Sequence, residues 1–269
     1  MPRYKALPDA ALLEISHLTK RFGGLMAVSD VSFTIGQGEI LSMIGPNGAG
    51  KTTAFNCVTG LFPISSGDIR LDGLSISGLP PHRITKLGIA RTFQNIRLFA
   101  FMTALDNVMV GAHWWMKERV WDGAFKTPRA RREERTVQEW AFSLLDQLGI
   151  VRYAGSYARE LPYGLQRRLE IARALATHPR LLLLDEPAAG LNPQEKNELM
   201  ALIARLRGEG LTVFLIEHDM RVVMEVSDRI VVLDHGEKIA EGKPIEVREN
   251  PRVIEAYLGT GASQEMPTA

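Results

Sequence analysis

One stretch of the sequence has the composition of a phosphate-binding loop and reads Gly45-Pro46-Asn47-Gly48-Ala49-Gly50-Lys51-Thr52. It follows the apolar run 40–44 and precedes a helical pattern over residues 52–59. Glycines let the backbone wrap tightly and direct N–H groups at phosphate oxygens, and the following helix presents its positive end to the same anion. We expect Lys51 to lie along the β- and γ-phosphates and the Thr52 hydroxyl to ligate Mg²⁺.

A pair of carboxylates follows a second apolar run, residues 181–184, in the order Asp185, Glu186, Pro187. Because leucines bury the strand, Asp185 emerges at its carboxyl end, where open α/β sheets bind ligands. Asp185 is placed to hold Mg²⁺ through water. Glu186 can accept a proton from, or orient, the water that attacks the γ-phosphate. Together with the loop, this pair predicts nucleotide hydrolysis.

The elements that must position these residues indicate an α/β fold. Short β-rich runs open the chain, and later runs at 180–184, 211–216 and 229–233 are uniformly apolar, as in a parallel sheet covered on both faces. Helical patterns lie between them. We predict a P-loop NTPase core, with a mainly parallel sheet and helices, preceded by an N-terminal antiparallel β portion.

The middle of the chain differs, because residues 97–163 show helical periodicity and almost no strand signal. This segment holds Trp114, Trp115 and Trp121 and a charge-rich stretch at 126–135. We interpret it as an inserted helical subdomain, with 1–96 and 164–250 forming the core and 251–269 a C-terminal helix and tail. The mixed charges favour a solvated helix face, with a headgroup or partner contact as the alternative.

Composition narrows the functional classes. Hydrophobic residues are 45% and charged residues 23%, as in soluble globular proteins. The net charge of +1 argues against a nucleic-acid partner. The single cysteine, Cys57, cannot form an intrachain disulfide and is expected to be a small core residue. No run approaches the ~18 apolar residues of a spanning helix.

The sequence resembles the ATP-binding subunits of ABC transporters over nearly its whole length. Besides the loop and the carboxylates, the resemblance rests on Phe22 in Lys20-Arg21-Phe22-Gly23-Gly24, Gln94 in Arg91-Thr92-Phe93-Gln94, the signature segment 161–175, the D-loop segment 189–192, and His218 after Glu217.

The resemblance implies a role for each matching position. Phe22 would stack on adenine, with core packing as the alternative. Gln94 would touch Mg²⁺ or the attacking water, and His218 would bond the γ-phosphate and hold Glu186 and water in line. The implied nucleotide-binding residues are Phe22, Gly45, Pro46, Asn47, Gly48, Ala49, Gly50, Lys51, Thr52 and Thr53. The implied catalytic residues are Lys51, Gln94, Glu186 and His218, and the implied metal ligands are Thr52, Gln94 and Asp185.

A dimer is also implied, because the signature residues Tyr163 and Gly164 would contact the γ-phosphate held by the opposite subunit. This segment departs from the common Leu-Ser-Gly-Gly-Gln at Pro162, Tyr163 and Leu165, and the usual D-loop aspartate is Asn192. Since Glu186 and His218 are retained, a working hydrolase is favoured over a non-hydrolysing regulatory binder.

Local strings at 91–99, 169–175, 185–193 and 251–259 are similar to the ATPase subunits of high-affinity branched-chain amino-acid importers. The resemblance implies a homodimer or a heterodimer with a related ATPase, integral membrane permeases, an indirect substrate-binding protein, and a peripheral position on the cytoplasmic face of the inner membrane. A cleft beside Gln94 would receive a permease helix, with core packing of the same residues as the alternative; its lining would be Ile96, Leu98, Phe99, Phe101 and Met102.

The cargo is not encoded in an ATPase subunit, so branched-chain or related amino acids follow from kinship alone. Two alternatives stay open. The first is a lipopolysaccharide-export ATPase with a similar core. The second is a soluble ABC ATPase acting on ribosomes or DNA, which is disfavoured because the chain has one phosphate loop and no heptad run.

Overall fold

The computed structural model describes residues 11–113 and 128–258. The chain divides into two units, one formed by Met1–Arg91 with Arg180–Ala269 and the other by Thr92–Pro179. The sequence predicts boundaries at 96/97 and 163/164. The second unit extends past the later one because the helix over residues 163–175 packs on the helices of that unit. Trp114, Trp115 and Trp121 lie outside the described residues.

Strands and helices are numbered in chain order. The strands are β1 (Ala11–Phe22), β2 (Leu25–Gly36), β3 (Ile40–Ile44), β4 (Ser66–Leu71), β5 (Leu74–Ser75), β6 (Ile89–Arg91), β7 (Leu181–Asp185), β8 (Thr212–Ile216), β9 (Arg229–Asp234) and β10 (Glu237–Gly242). The helices are α1 (Lys51–Val58), α2 (Pro81–Leu87), α3 (Ala104–Ala112), α4 (Pro128–Gln147), α5 (Tyr163–Leu175), α6 (Pro193–Gly208), α7 (Met220–Val226), α8 (Pro244–Arg248) and α9 (Pro251–Leu258).

The described residues of the first unit form two sheets. The four-stranded sheet has the order β2-β1-β4-β5 and is antiparallel. The six-stranded sheet has the order β10-β9-β3-β8-β7-β6 and is parallel except for β10. The predicted α/β core with an N-terminal antiparallel portion is confirmed. Strands β5, β6 and β10 were not predicted, because β5 and β6 are short and β10 is a polar edge strand.

Helix α1 is fixed in the core of this unit by aromatic packing. Phe55 of α1 lies 4.5 Å from Phe214 of β8, and Phe214 lies 5.6 Å from Phe33 of β2, measured between ring centroids. Cys57 is buried in the same core cluster, as expected. The element that begins at Lys51 is therefore held against strands of both sheets.

In the second unit, α3 packs closely against α5. A Cβ atom at Gly111 would lie 2.2 Å from the carbonyl oxygen of Arg173, so glycine is required for this approach. Helix α4 exposes Arg131, Arg132 and Arg135, as a solvated face should. Among the described helices, none has the length and apolar content needed to span a bilayer.

Candidate active site

The phosphate loop follows β3 and depends on glycine at two close backbone approaches. Gly45 has φ 147° and Gly50 has φ 98°. A Cβ atom would lie 2.0 Å from the Leu233 carbonyl oxygen at Gly45 and 2.4 Å from the Ala27 carbonyl oxygen at Gly50. Both contacts are with backbone, so a side chain at either position would force the loop to move.

Lys51 is buried and points back into the loop. Its Nζ donates to the carbonyl oxygens of Gly45 at 2.6 Å and Pro46 at 2.8 Å. Burial lowers the pKa of Lys51, and the negative charges of Glu186 and Asp185 oppose that effect. Within the described chain, no side chain caps α1 and its first turn holds no acidic residue. The start of this helix is thus electropositive and suited to an anion.

Asp185 ends β7 as a buried carboxylate, paired with an arginine that the sequence analysis did not identify. Arg91 Nη2 lies 2.7 Å from Asp185 Oδ2, and the two side chains are 7% and 4% exposed. Arg91 Nη1 also donates to Asn56 Oδ1 at 2.6 Å and Thr59 Oγ1 at 3.2 Å. The guanidinium therefore links the acidic strand end to helix α1, which carries Lys51.

Glu186 and His218 are brought into direct contact. The distance from His218 Nε2 to Glu186 Oε1 is 2.8 Å. Glu186 has φ 47°, a left-handed conformation that costs a non-glycine residue about 1–3 kcal/mol and is common at functional sites. Its N–H donates to the Ile216 carbonyl oxygen at 2.9 Å, which anchors the strained turn to β8. The expected carboxylate–imidazole pair is present.

Phe22 lies at the end of β1 and its residue surface is 42% exposed, which excludes the core-packing alternative. Its ring meets Phe62 edge-on, with centroids 5.2 Å apart. Lys20 Nζ lies 4.7 Å from the Phe22 ring centroid and donates to the Pro63 carbonyl oxygen at 2.8 Å. The Phe22 ring is thus held by Phe62 and Lys20 and keeps part of its surface accessible.

Gln94, Tyr163 and Gly164 lie in the second unit. Arg167 of α5 donates to the carbonyl oxygens of Phe93 and Gln94, both at 2.8 Å, and to the Tyr163 hydroxyl at 2.9 Å. Gly164 is buried in the first turn of α5. The Gln94 backbone and Tyr163 thus share one guanidinium, a link that sequence reasoning missed.

Glu170 completes this cluster from the next turn of α5. Its carboxylate lies 3.2 Å from Arg167 Nη1 and accepts N–H bonds from Phe93 at 3.4 Å and Arg97 at 3.3 Å. Burial raises the pKa of Glu170, and the Arg97 bond and the Arg167 charge oppose it. The sequence signal that could have predicted the Arg167–Glu170 pair is two opposite charges three residues apart within an apolar helical pattern.

Two departures from the family pattern have local structural roles. Asn192 caps α6, since its Oδ1 accepts the Glu195 N–H at 2.9 Å and the Asn192 N–H donates to Glu195 Oε2 at 2.9 Å. Pro162 occupies the N-cap of α5 in an extended conformation. Asn192 therefore caps its helix through its side chain. Pro162 makes no side-chain cap and suits a helix start because a missing N–H costs no intrahelical bond there.

The sequence matches two family profiles. Residues 28–189 match the ABC transporter family, and residues 237–263 match the branched-chain amino acid ATP-binding cassette transporter family. The high-affinity branched-chain amino acid transport ATP-binding protein BraF of Pseudomonas aeruginosa is 53% identical, over 92% of this chain and 98% of that protein. Its counterpart LivG of Escherichia coli is 48% identical over the same shares. The lipopolysaccharide export system ATP-binding protein LptB of E. coli is 36% identical, over 93% of this chain and 98% of LptB.

Solved structures agree with these matches. MJ1267, an ATP-binding cassette of an ABC transporter in its ADP conformation, has a TM-score of 0.81 and 31% identity over 93% of this chain and 99% of that one. The dimeric bacterial cassette MJ0796 has a TM-score of 0.74 and 28% identity over 86% of this chain and 98% of that one. The chain therefore belongs to the ABC transporter family and is one of its ATP-binding subunits.

Proposed function

We propose that Glu186, oriented by His218, activates the water that attacks the γ-phosphate of ATP. The observation that carries this assignment is the 2.8 Å contact between the two side chains where β7 and β8 end. Glu186 is 15% exposed, so it is reachable by water yet partly desolvated. An imidazole N–H that donates to a carboxylate fixes that carboxylate, and the same N–H would donate to developing phosphate charge when nucleotide is bound.

The phosphate loop, from Gly45 to Thr53, would hold the triphosphate through its backbone N–H groups. Lys51 would exchange its bonds to the loop carbonyls for bonds to the β- and γ-phosphates, and Phe22 would offer its exposed ring to adenine. The Thr52 hydroxyl and the Asp185 carboxylate are oxygen donors of the kind Mg²⁺ prefers, so they fit its site. When bound, Mg²⁺ neutralises phosphate charge.

Gln94, Tyr163 and Gly164 keep the roles that the resemblance implies. Gln94 would face the metal or the attacking water, and Tyr163 and Gly164 would face nucleotide held by a second protomer, identical or related. The dimeric state of MJ0796 supports this assembly. In it, the N-terminus of α5 supplies the positive helix end for the terminal phosphate.

Branched-chain amino-acid import is the transport reaction we propose, at the cytoplasmic face of the membrane and through separate permeases. The higher identity to BraF and LivG than to LptB supports import over lipopolysaccharide export. In an assembled transporter, substrate-binding protein loaded with leucine should raise ATP hydrolysis severalfold above the unloaded protein. Stimulation by lipopolysaccharide but not by leucine would reject this cargo.

The permease would dock on an exposed patch of the second unit formed by Phe99, Phe101 and Met102, which are 49%, 75% and 39% exposed. Arg159 lies 4.6 Å from the Phe101 ring centroid. Changing Phe101→Glu should abolish co-purification with the permease while ATP binding is unchanged, because burying a charge in an apolar contact costs much free energy. Leu74→Glu, at a 56% exposed site in the first unit, is the matched control. Unchanged assembly of the Phe101 variant would remove this surface.

A further inference from the structure

Glu217 directly precedes His218, and its buried carboxylate bonds to the chain segment that carries Glu186. It is 3% exposed. Its Oε1 accepts the Ala188 N–H at 2.6 Å, and its Oε2 accepts the N–H groups of His218 at 3.0 Å and Asp219 at 3.4 Å. Burial raises the pKa of Glu217, and these N–H bonds oppose the effect.

This carboxylate acts where strand pairing stops. The register between β7 and β8 ends at the pair Asp185 and Ile216, and the Glu186 N–H adds one further bond, to Ile216. Beyond that point Glu217 joins the backbone two residues after Glu186 to the backbone of His218 itself. One carboxylate can do this because both of its oxygens are acceptors.

Asp219 makes a second link between the segments that follow β7 and β8, on the other side of His218 from Glu217. Its Oδ2 pairs with Lys196 Nζ of α6 at 2.6 Å, and its Oδ1 accepts the Arg221 N–H at 3.0 Å at the start of α7. The segment after β8 is thus attached to the segment after β7 on both sides of His218. The Lys196 pair is 32% and 27% exposed, so it is the weaker of the two attachments.

We propose that Glu217 is a positioning residue for hydrolysis, whose bonds to Ala188 and His218 hold the Glu186–His218 contact in its reactive geometry. The proposal rests on the roles given above to Glu186 and His218. Glu217 acts through these two residues, so its removal should affect the chemical step more than nucleotide binding.

The first test is Glu217→Gln in the purified full-length protein. Glutamine keeps the size but has a single acceptor oxygen, so its NH₂ must face a backbone N–H on one side and one attachment is lost. We expect kcat to fall about tenfold with KM for ATP within about twofold, since a small misplacement of catalytic groups is costly. Glu225→Gln, at a surface glutamate of α7, should change neither value.

The second test is a double-mutant cycle with His218→Ala, measured on residual ATP hydrolysis and with thermal unfolding of each variant. If Glu217 acts through the pair, adding Glu217→Gln to His218→Ala should cost less than about twofold further. The same tenfold loss in both backgrounds, no loss in either, or a Glu217→Gln protein that no longer folds would each overturn the proposal. Full activity of His218→Ala and Glu186→Gln would instead reject the proposed function itself.

Discussion

Replacing Glu186 with glutamine is expected to lower the rate of ATP hydrolysis by about 10²–10³-fold while ATP binding is retained. The amide keeps the size of the side chain and can still bond to His218 Nε2, which lies 2.8 Å from Glu186 Oε1 in the unchanged protein. It cannot accept a proton from water. Because ATP stays intact, the protein should accumulate as ATP-bound dimers, which size-exclusion chromatography with bound-nucleotide analysis would detect.

The control for this substitution is Glu225→Gln, which removes a carboxylate from the exposed surface of the first unit. It should hydrolyse ATP at the unchanged rate and should not accumulate as ATP-bound dimers. If Glu186→Gln hydrolysed ATP as fast as the unchanged protein, another group would have to activate the water. A loss of ATP binding in that variant would show that the carboxylate contributes to the site in a different way.

Substituting Gly45→Ala should reduce ATP affinity by at least about 100-fold and lower the free energy of unfolding by about 2–4 kcal/mol. The added Cβ would lie 2.0 Å from the Leu233 carbonyl oxygen, and Leu233 belongs to the buried strand β9. The loop must therefore shift, so its backbone N–H groups would no longer point at the phosphates. Equilibrium ATP binding and denaturant unfolding measure the two effects.

Gly48→Ala is the matched comparison within the same loop. Gly48 has φ 82°, and a Cβ atom there would meet no atom of the described residues within 4 Å, apart from its two chain neighbours. The free energy of unfolding of Gly48→Ala should fall only by the cost of a left-handed alanine, about 1–2 kcal/mol. Equal losses of unfolding free energy in the two variants would mean that φ alone, and not the contact with Leu233, sets the need for glycine at position 45.

Much of the fold was predictable because its signals are local. The apolar runs of β3, β7, β8 and β9 are continuous, as strands buried on both faces require, and the structure places strands at these positions. Among the described strands, the polar edge strand β10 pairs with β9 alone, so its own sequence carries no such pattern. Asn192, which resembles a D-loop residue, is used as a helix cap, a local role that sequence reasoning had not considered.

The sequence by itself determined which groups we propose to meet phosphate and water, because each follows a buried strand closely and needs only its own loop: Gly45 to Thr52 after β3, Asp185 and Glu186 after β7, and His218 after β8. Only the tertiary structure decided what holds them. Arg91 reaches Asp185, and Glu217 reaches Ala188, through strands that are distant in sequence and neighbours in the sheet. The physical reason is that a buried hydrogen bond depends on which strands lie side by side, and strand order is a property of the whole fold.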